Sequence, residues 1–254
     1  MMNLITAATL ITMRFSKILI LSIALLLTPM TGLAKVYLVS VGIADYPGRK
    51  MDLTLCDNDA KTATWLYTQN SDVTYCQLLN SEATGSKITS AMRQVFAKAT
   101  ANDIVVFFYS GHGYEGGLYV YDGELSYGEI QKAMASSKCN NKMIFADACY
   151  AGRLRSNNGT STSSSSTMRN ANVMLFLSSR SDEVSYEYSG MKNGLFTTYL
   201  IKGLRGKADS NHDRTISAKE LFRFVHSGVV EASNEEQHPV MWGRFNDNMP
   251  VLQW

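Results

Sequence analysis

Residues 103–113 read DIVVFFYSGHG. An aspartate opens an unbroken run of β-branched and aromatic residues, and the run ends in a serine and a glycine-flanked histidine. A strand with one wet face alternates apolar and polar residues; a continuous apolar run implies cover on both faces. Three other stretches share this character: 36–43 (VYLVSVGI), 143–146 (MIFA) and 173–178 (VMLFLS). Helical signals separate them. Asp57-Asn-Asp-Ala60 supplies N-cap chemistry for a helix to about Gln69. Ile88, Met92, Val95, Phe96 and Ala99 recur at helical spacing, as do Leu221, Phe224, Val225 and Val229. Further helices are expected over 126–138 and 194–204, a short strand over 74–79, and a small hairpin turning at Asp122-Gly123. A last strand is expected near 240–245. Strands alternating with helices imply an α/β fold, with a largely parallel central sheet and helices on both faces.

In such sheets ligands bind beyond the carboxyl ends of the strands. One apolar strand runs into Tyr109-Ser-Gly-His-Gly113 and another into Asp147-Ala-Cys-Tyr-Ala-Gly152. Singly, a cysteine beside an apolar strand is ordinary core packing, and a histidine between glycines is an ordinary turn residue. Parallel neighbouring strands would bring His112 and Cys149 to the same sheet edge. A thiol and an imidazole so placed form the minimal apparatus of covalent acyl transfer. The backbone amides of Gly113 and Cys149 are then candidates for an oxyanion hole.

Composition sets the context. The chain of 254 residues is 45% apolar and carries a net charge of +2, so nothing points to a nucleic-acid partner. Met13-Arg-Phe-Ser-Lys17, the apolar run Ile18 to Leu27 and the small-residue end Gly32-Leu33-Ala34 have the order of a secretory signal peptide. Residues 1–34 are therefore expected to be removed, leaving an exported protein, periplasmic or secreted, without a stable membrane span. Four cysteines without CxxC spacing argue against zinc; export permits disulfides, and Cys76 with Cys139 is a pair the sequence allows. No cofactor is required. Residues 209–220 (DSNHDRTISAKE) carry oxygen donors at EF-hand positions, but Arg214 stands where the loop wants glycine. Ser217 to Glu220 is also a capping box, which leaves calcium weakly supported and no metal site assigned.

The combination YSGHG then DACYAG resembles the caspase-like cysteine peptidases of the C14 type, especially bacterial metacaspase and orthocaspase relatives of clan CD. The resemblance extends from VSVGIADY and LTLCDNDA through FLSSRSDE and GLFTTYLIKGLRG to QHPVMWG. It implies a caspase-like three-layer sandwich over 35–254. A large-subunit-like part would span about 35–155, a Ser/Thr-rich linker 156–170 and a small-subunit-like part 171–254. It implies His112 as general base and acid, Cys149 as nucleophile, and an acidic P1 pocket for Arg or Lys lined by Asp59, Asp147, Ser110 and Cys56. Self-cleavage at Arg153, Arg155 or Arg169, around the linker, follows from that specificity. Tyr150 and Ala151 depart from common family residues without removing a catalytic group. The loop after the histidine keeps only Asp122 and Glu115 of the acids through which calcium activates some relatives. The competing readings are a catalytically silent binding or scaffold module, and a legumain- or clostripain-like hydrolase of the same clan.

Overall fold

The computed structural model describes residues 33–114, 116–148, 173–180, 183, 185–188 and 190–254. Within Ala34–Trp254 the chain alternates as the sequence implies. It runs β1 (Val36–Gly42), α1 (Cys56–Asn70), β2 (Val73–Leu79), α2 (Gly85–Phe96) and β3 (Ile104–Ser110). The small strands β4 (Gly113–Tyr114), β5 (Gly117–Val120) and β6 (Gly123–Ser126) precede α3 (Tyr127–Met134) and β7 (Asn141–Asp147). After β8 (Val173–Leu177) come α4 (Leu195–Lys202), β9 (Thr215–Ser217), α5 (Ala218–Ala232), β10 (Val240–Gly243) and β11 (Pro250–Gln253). The sheet order is β10-β8-β7-β3-β1-β2. All neighbours in it are parallel except the edge strand β10, which runs antiparallel to β8.

The alternation of side chains explains the unbroken apolar runs. Val105, Phe107 and Tyr109 of β3 face one layer with Ile88, Met92 and Phe96 of α2 and Ile130 of α3. Ile104, Val106 and Phe108 face the other layer, with Ala60 and Leu66 of α1, Phe196 of α4 and Leu221 of α5. Both faces of the strand are dry, so neither tolerates a polar residue until the strand ends. Ser110 and Asp147 are those ends. They lie opposite each other across the β3–β7 register and on the α1/α4 face.

Two expectations need correction. The chain does not end its regular structure near 245: β11 follows and pairs antiparallel with β9, inside the Asp209–Glu220 segment. These strands are three and four residues long, too short to show periodicity in the sequence. Cys76 and Cys139 are not bridged. Both are free thiols, Cys76 in the edge strand opposite Val39 and Cys139 buried with its sulfur 2.9 Å from the Asp103 carbonyl.

The chain passes from β1 to β2 on one side and reaches β3 on the other, so its topological switch lies between β1 and β3. Helix α1 sits closely against this point. A Cβ on Gly42 would overlap the Cys56 carbonyl oxygen and come within 2.8 Å of the Ala60 Cβ. Gly42→Ala should therefore lift α1 from the sheet and lower stability by about 1–3 kcal/mol. Urea unfolding checks this; an unchanged midpoint would show that α1 shifts freely.

Candidate active site

The histidine loop is built on tyrosine hydroxyls. At Gly111, directly after β3, a Cβ would lie 2.5 Å from the Tyr109 hydroxyl and 2.6 Å from that of Tyr46. Only a residue without a side chain fits there. The Gly111 N–H donates to the Asp147 carbonyl, 3.1 Å away, tying the loop to the end of β7. The His112 N–H donates to the Tyr46 hydroxyl at 2.9 Å, and its carbonyl accepts from Tyr119 N–H at 3.0 Å and from the Tyr109 hydroxyl at 2.8 Å. Burial pushes the Tyr46 phenol up to about 12, so it remains a hydroxyl across the working pH range.

The half-buried imidazole is oriented by a backbone group. His112 Nε2 lies 2.8 Å from the Met51 carbonyl oxygen, which can only accept, so Nε2 carries a proton and the lone pair of the neutral ring is on Nδ1. Met51 belongs to a short 3-10 turn, Arg49–Met51, on the loop after β1. That loop is anchored by Leu53 N–H to the Ala44 carbonyl (2.8 Å) and by Ala44 N–H to the Asn80 side chain (2.9 Å).

Beside His112 lies a cavity of about 40 Å³ lined by Cys56, Asp59, Ser110, Asp147, Ser185, Glu187 and Gly194, among others. That volume would accept on the order of three waters or one slender polar group. Asp59 and Asp147 are 1% and 6% exposed. The first turn of α1 holds Asp59, yet its carboxylate turns to the cavity rather than only serving the helix end. Its Oδ1 accepts from Gly194 N–H at 3.0 Å and the Asn193 amide at 2.8 Å, and its Oδ2 from the Ser110 hydroxyl at 2.8 Å. Asp147 accepts from the Ser185 hydroxyl and, at 3.1 and 2.8 Å, from the backbone and hydroxyl of Thr197. A Cβ on Gly194 would press to 2.7 Å from Asp147 and 3.3 Å from Asp59, so glycine lets the chain pass between the two acids.

Burial, reinforced by repulsion from Asp147, pushes the Asp59 carboxyl well above the usual range. Burial also raises Asp147, against the pull of Ser185 and Thr197. The Cys56 thiol is raised by burial as well, so it stays protonated. Two carboxyls raised by burial in the wall of one cavity mark it as a candidate functional site.

Of the residues singled out from the sequence, His112, Asp59, Asp147, Ser110 and Cys56 surround this one cavity. Gly113 begins β4 immediately after the histidine. Cys149 lies outside the described residues, as do 1–32, the linker, Arg153, Arg155 and Arg169 around it, and Glu115. The described chain reaches Ala148, whose N–H and C=O are both engaged by the Ser178 hydroxyl at 3.1 and 3.0 Å. Tyr46, the Met51 carbonyl, Ser185, Glu187, Asn193, Gly194 and Thr197 are site components that sequence reasoning did not name. The Asp209–Glu220 segment is separate from the cavity. Its capping box forms, Glu220 also accepts from Ser210, and Asp209 accepts from the backbone of Asp213 and Arg214. Among the described residues no group of three or more His, Cys, Asp or Glu is arranged to hold a metal ion.

The family model described as caspase domain, within peptidase C14, matches residues 36–249. The chain belongs to the caspase-domain family. Its fold is similar to that of caspase-1 from Spodoptera frugiperda, at TM-score 0.62 and 16% identity over 85% of this chain and 89% of that one. It is also similar to a crystallised protein of Geobacter sulfurreducens, at TM-score 0.64 and 16% identity over 87% and 97% of the two chains. A comparison with curated proteins finds no match. The caspase fold is thus that of a cysteine-peptidase family, and this member places two buried acids next to its histidine.

Asp59 and Asp147 bind protons more tightly folded than unfolded. Their stabilising contribution is fully present below about pH 4, the ordinary carboxylate range, and is lost as pH rises through the raised folded-state values. Asp59→Asn keeps an acceptor for Gly194 and removes one buried charge. It should melt at a higher temperature than wild type at pH 7, with the difference shrinking toward pH 4. Paired thermal melts at several pH values test this; a variant less stable than wild type at pH 7 would contradict the repulsion.

Proposed function

We propose that the protein is an exported cysteine endopeptidase that cleaves peptide bonds after Arg or Lys. The observation that carries this reading is the cavity beside His112, with Asp59, Asp147, Ser110 and Cys56 in its wall. A P1 guanidinium or ammonium entering it would meet charge-assisted acceptors in a low-dielectric setting. The cation would draw both carboxyls back toward their ordinary pKa values, so binding would release protons.

In the proposed reaction His112 Nδ1 takes the proton of Cys149, and the thiolate attacks the scissile carbonyl carbon. The amides of Gly113 and Cys149 would receive the developing oxyanion. Collapse breaks the C–N bond, His112 returns its proton to the departing amine, and a thioester remains. Water, deprotonated by His112, then hydrolyses the thioester and regenerates the thiol. The Met51 carbonyl would hold the ring in one tautomer and steady the imidazolium, the part a carboxylate plays in triad enzymes. Arg153, Arg155 and Arg169, around the linker, would be cleavage sites of the same specificity, and residues 1–34 would direct the chain to the periplasm or beyond.

Fluorogenic peptides with Arg, Lys, Asn or Asp at P1 test the reading, with and without calcium. Turnover is expected only for Arg and Lys, with KM falling as pH rises from about 4 toward neutrality and the cavity acids ionise. Cys149→Ala should abolish turnover and remain one band on a denaturing gel, where wild type gives two fragments. Preference for Asn or Asp would overturn the pocket assignment, and no turnover of any peptide would favour a binding module.

A further inference from the structure

The cavity has a third carboxylate. Glu187 comes from the segment after β8 and lines the same space as Asp59 and Asp147. Its position is fixed by helix α1, which has no side-chain cap of its own because its N-cap residue is Leu55. Glu187 Oε1 accepts from Leu55 N–H at 3.2 Å and from the Cys56 thiol at 3.6 Å, while Oε2 accepts from Thr54 N–H at 3.2 Å. A carboxylate has about four acceptor positions, and the described residues use three of them, two on Oε1 and one on Oε2. Unlike the two buried acids, Glu187 is exposed. It stands at the mouth, and Asp59 and Asp147 form the floor. Between mouth and floor Cys56 touches Glu187, and Ser110 donates to Asp59.

Building on the basic-P1 reading above, we infer that Glu187 is a specificity-determining residue that ranks Arg above Lys at P1. An arginine side chain carries donors at two depths: the terminal guanidinium nitrogens, and the Nε–H set back along the stem. It can satisfy floor and mouth together. Lysine carries all its donors on one terminal nitrogen and can serve only one level at a time. The mouth carboxylate therefore adds a charge-assisted contact that arginine uses and lysine forgoes. Its bonds to the start of α1 hold it in place before the substrate arrives, so little ordering is left for the binding step.

The test compares wild type with Glu187→Gln, which keeps the side-chain shape and one acceptor but removes the charge. Peptides identical except for Arg, Lys or citrulline at P1 are used, citrulline being the neutral counterpart of arginine. Glu187→Gln should lower kcat/KM for Arg about ten-fold, chiefly through KM, as expected for one charge-assisted hydrogen bond. It should lower Lys less and citrulline least, so the Arg:Lys ratio falls. An unchanged Arg:Lys ratio overturns the inference, and an equal loss on all three peptides marks Glu187 as a helix cap alone. Agmatine binding by calorimetry, to Cys149→Ala and to Cys149→Ala with Glu187→Gln, separates this inference from the catalytic reading. About ten-fold weaker binding in the double variant is expected. Equal agmatine binding by the two proteins sinks the role of Glu187 while leaving Asp59, Asp147 and catalysis standing. Failure of both proteins to bind agmatine removes the basic pocket and the role of Glu187 with it.

Discussion

Two buried carboxylates in the wall of one cavity are the constraint around which the rest is arranged. Asp59 enters from α1 and Asp147 from the end of β7, and burial opposes the ionisation of both. Neither would persist without donors, because an uncompensated buried carboxylate is among the most destabilising groups a core can hold. Apart from the Ser110 hydroxyl at the end of β3, the donors come from a distant part of the chain: Ser185, Asn193, Gly194 and Thr197, all after β8. The acid pair thus staples the second half of the sequence to the first. Asp147 also serves as an ordinary structural acceptor, so its structural and electrostatic roles are the same set of bonds seen from two sides.

The histidine follows a parallel logic with neutral groups. Its backbone is held by Tyr46, Tyr109 and Tyr119, and its ring by the Met51 carbonyl. The ring of Tyr46 also packs at 5.0 Å from that of His112. Both devices are anchored at the carboxyl edge of the sheet, where β1 and β3 part company. The dry sandwich below supplies rigidity, and the polar chemistry is confined to the first residues beyond it.

Legibility in the sequence tracked the range of the interactions involved. DIVVFFYS could be read as a doubly covered strand because its pattern is local and its apolar run unbroken. The capping box from Ser217 to Glu220 was readable for the same reason, and it forms. Asp59, Asp147, Ser110 and Cys56 were named together by resemblance, since no spacing rule brings residues from three separate elements to one cavity. Met51 contributes a carbonyl that every residue type possesses, so no side chain could have announced it. Glu187 caps a helix 131 to 133 residues before it in the chain, a pairing that exists only in the folded molecule. An even cysteine count suggested a bridge that the structure does not form, because β2 is an edge strand while Cys139 is bound near the amino end of β7.

The polarity of α1 links the acids to the packing beneath them. Its N-terminus is the positive end of a 15-residue helix dipole, and it borrows its cap from Glu187. The same first turn presents Cys56 and Asp59 to the cavity. A helix start that attracts anions therefore gathers acids at the place where the sheet's switch point opens. Displacing α1 would disturb all three carboxylates together, because Gly42 leaves it no clearance and Gly194 leaves the acids none. The tight packing below the cavity and the charge within it are one design: the first keeps the donors at fixed positions, and only fixed donors make it tolerable to bury the second.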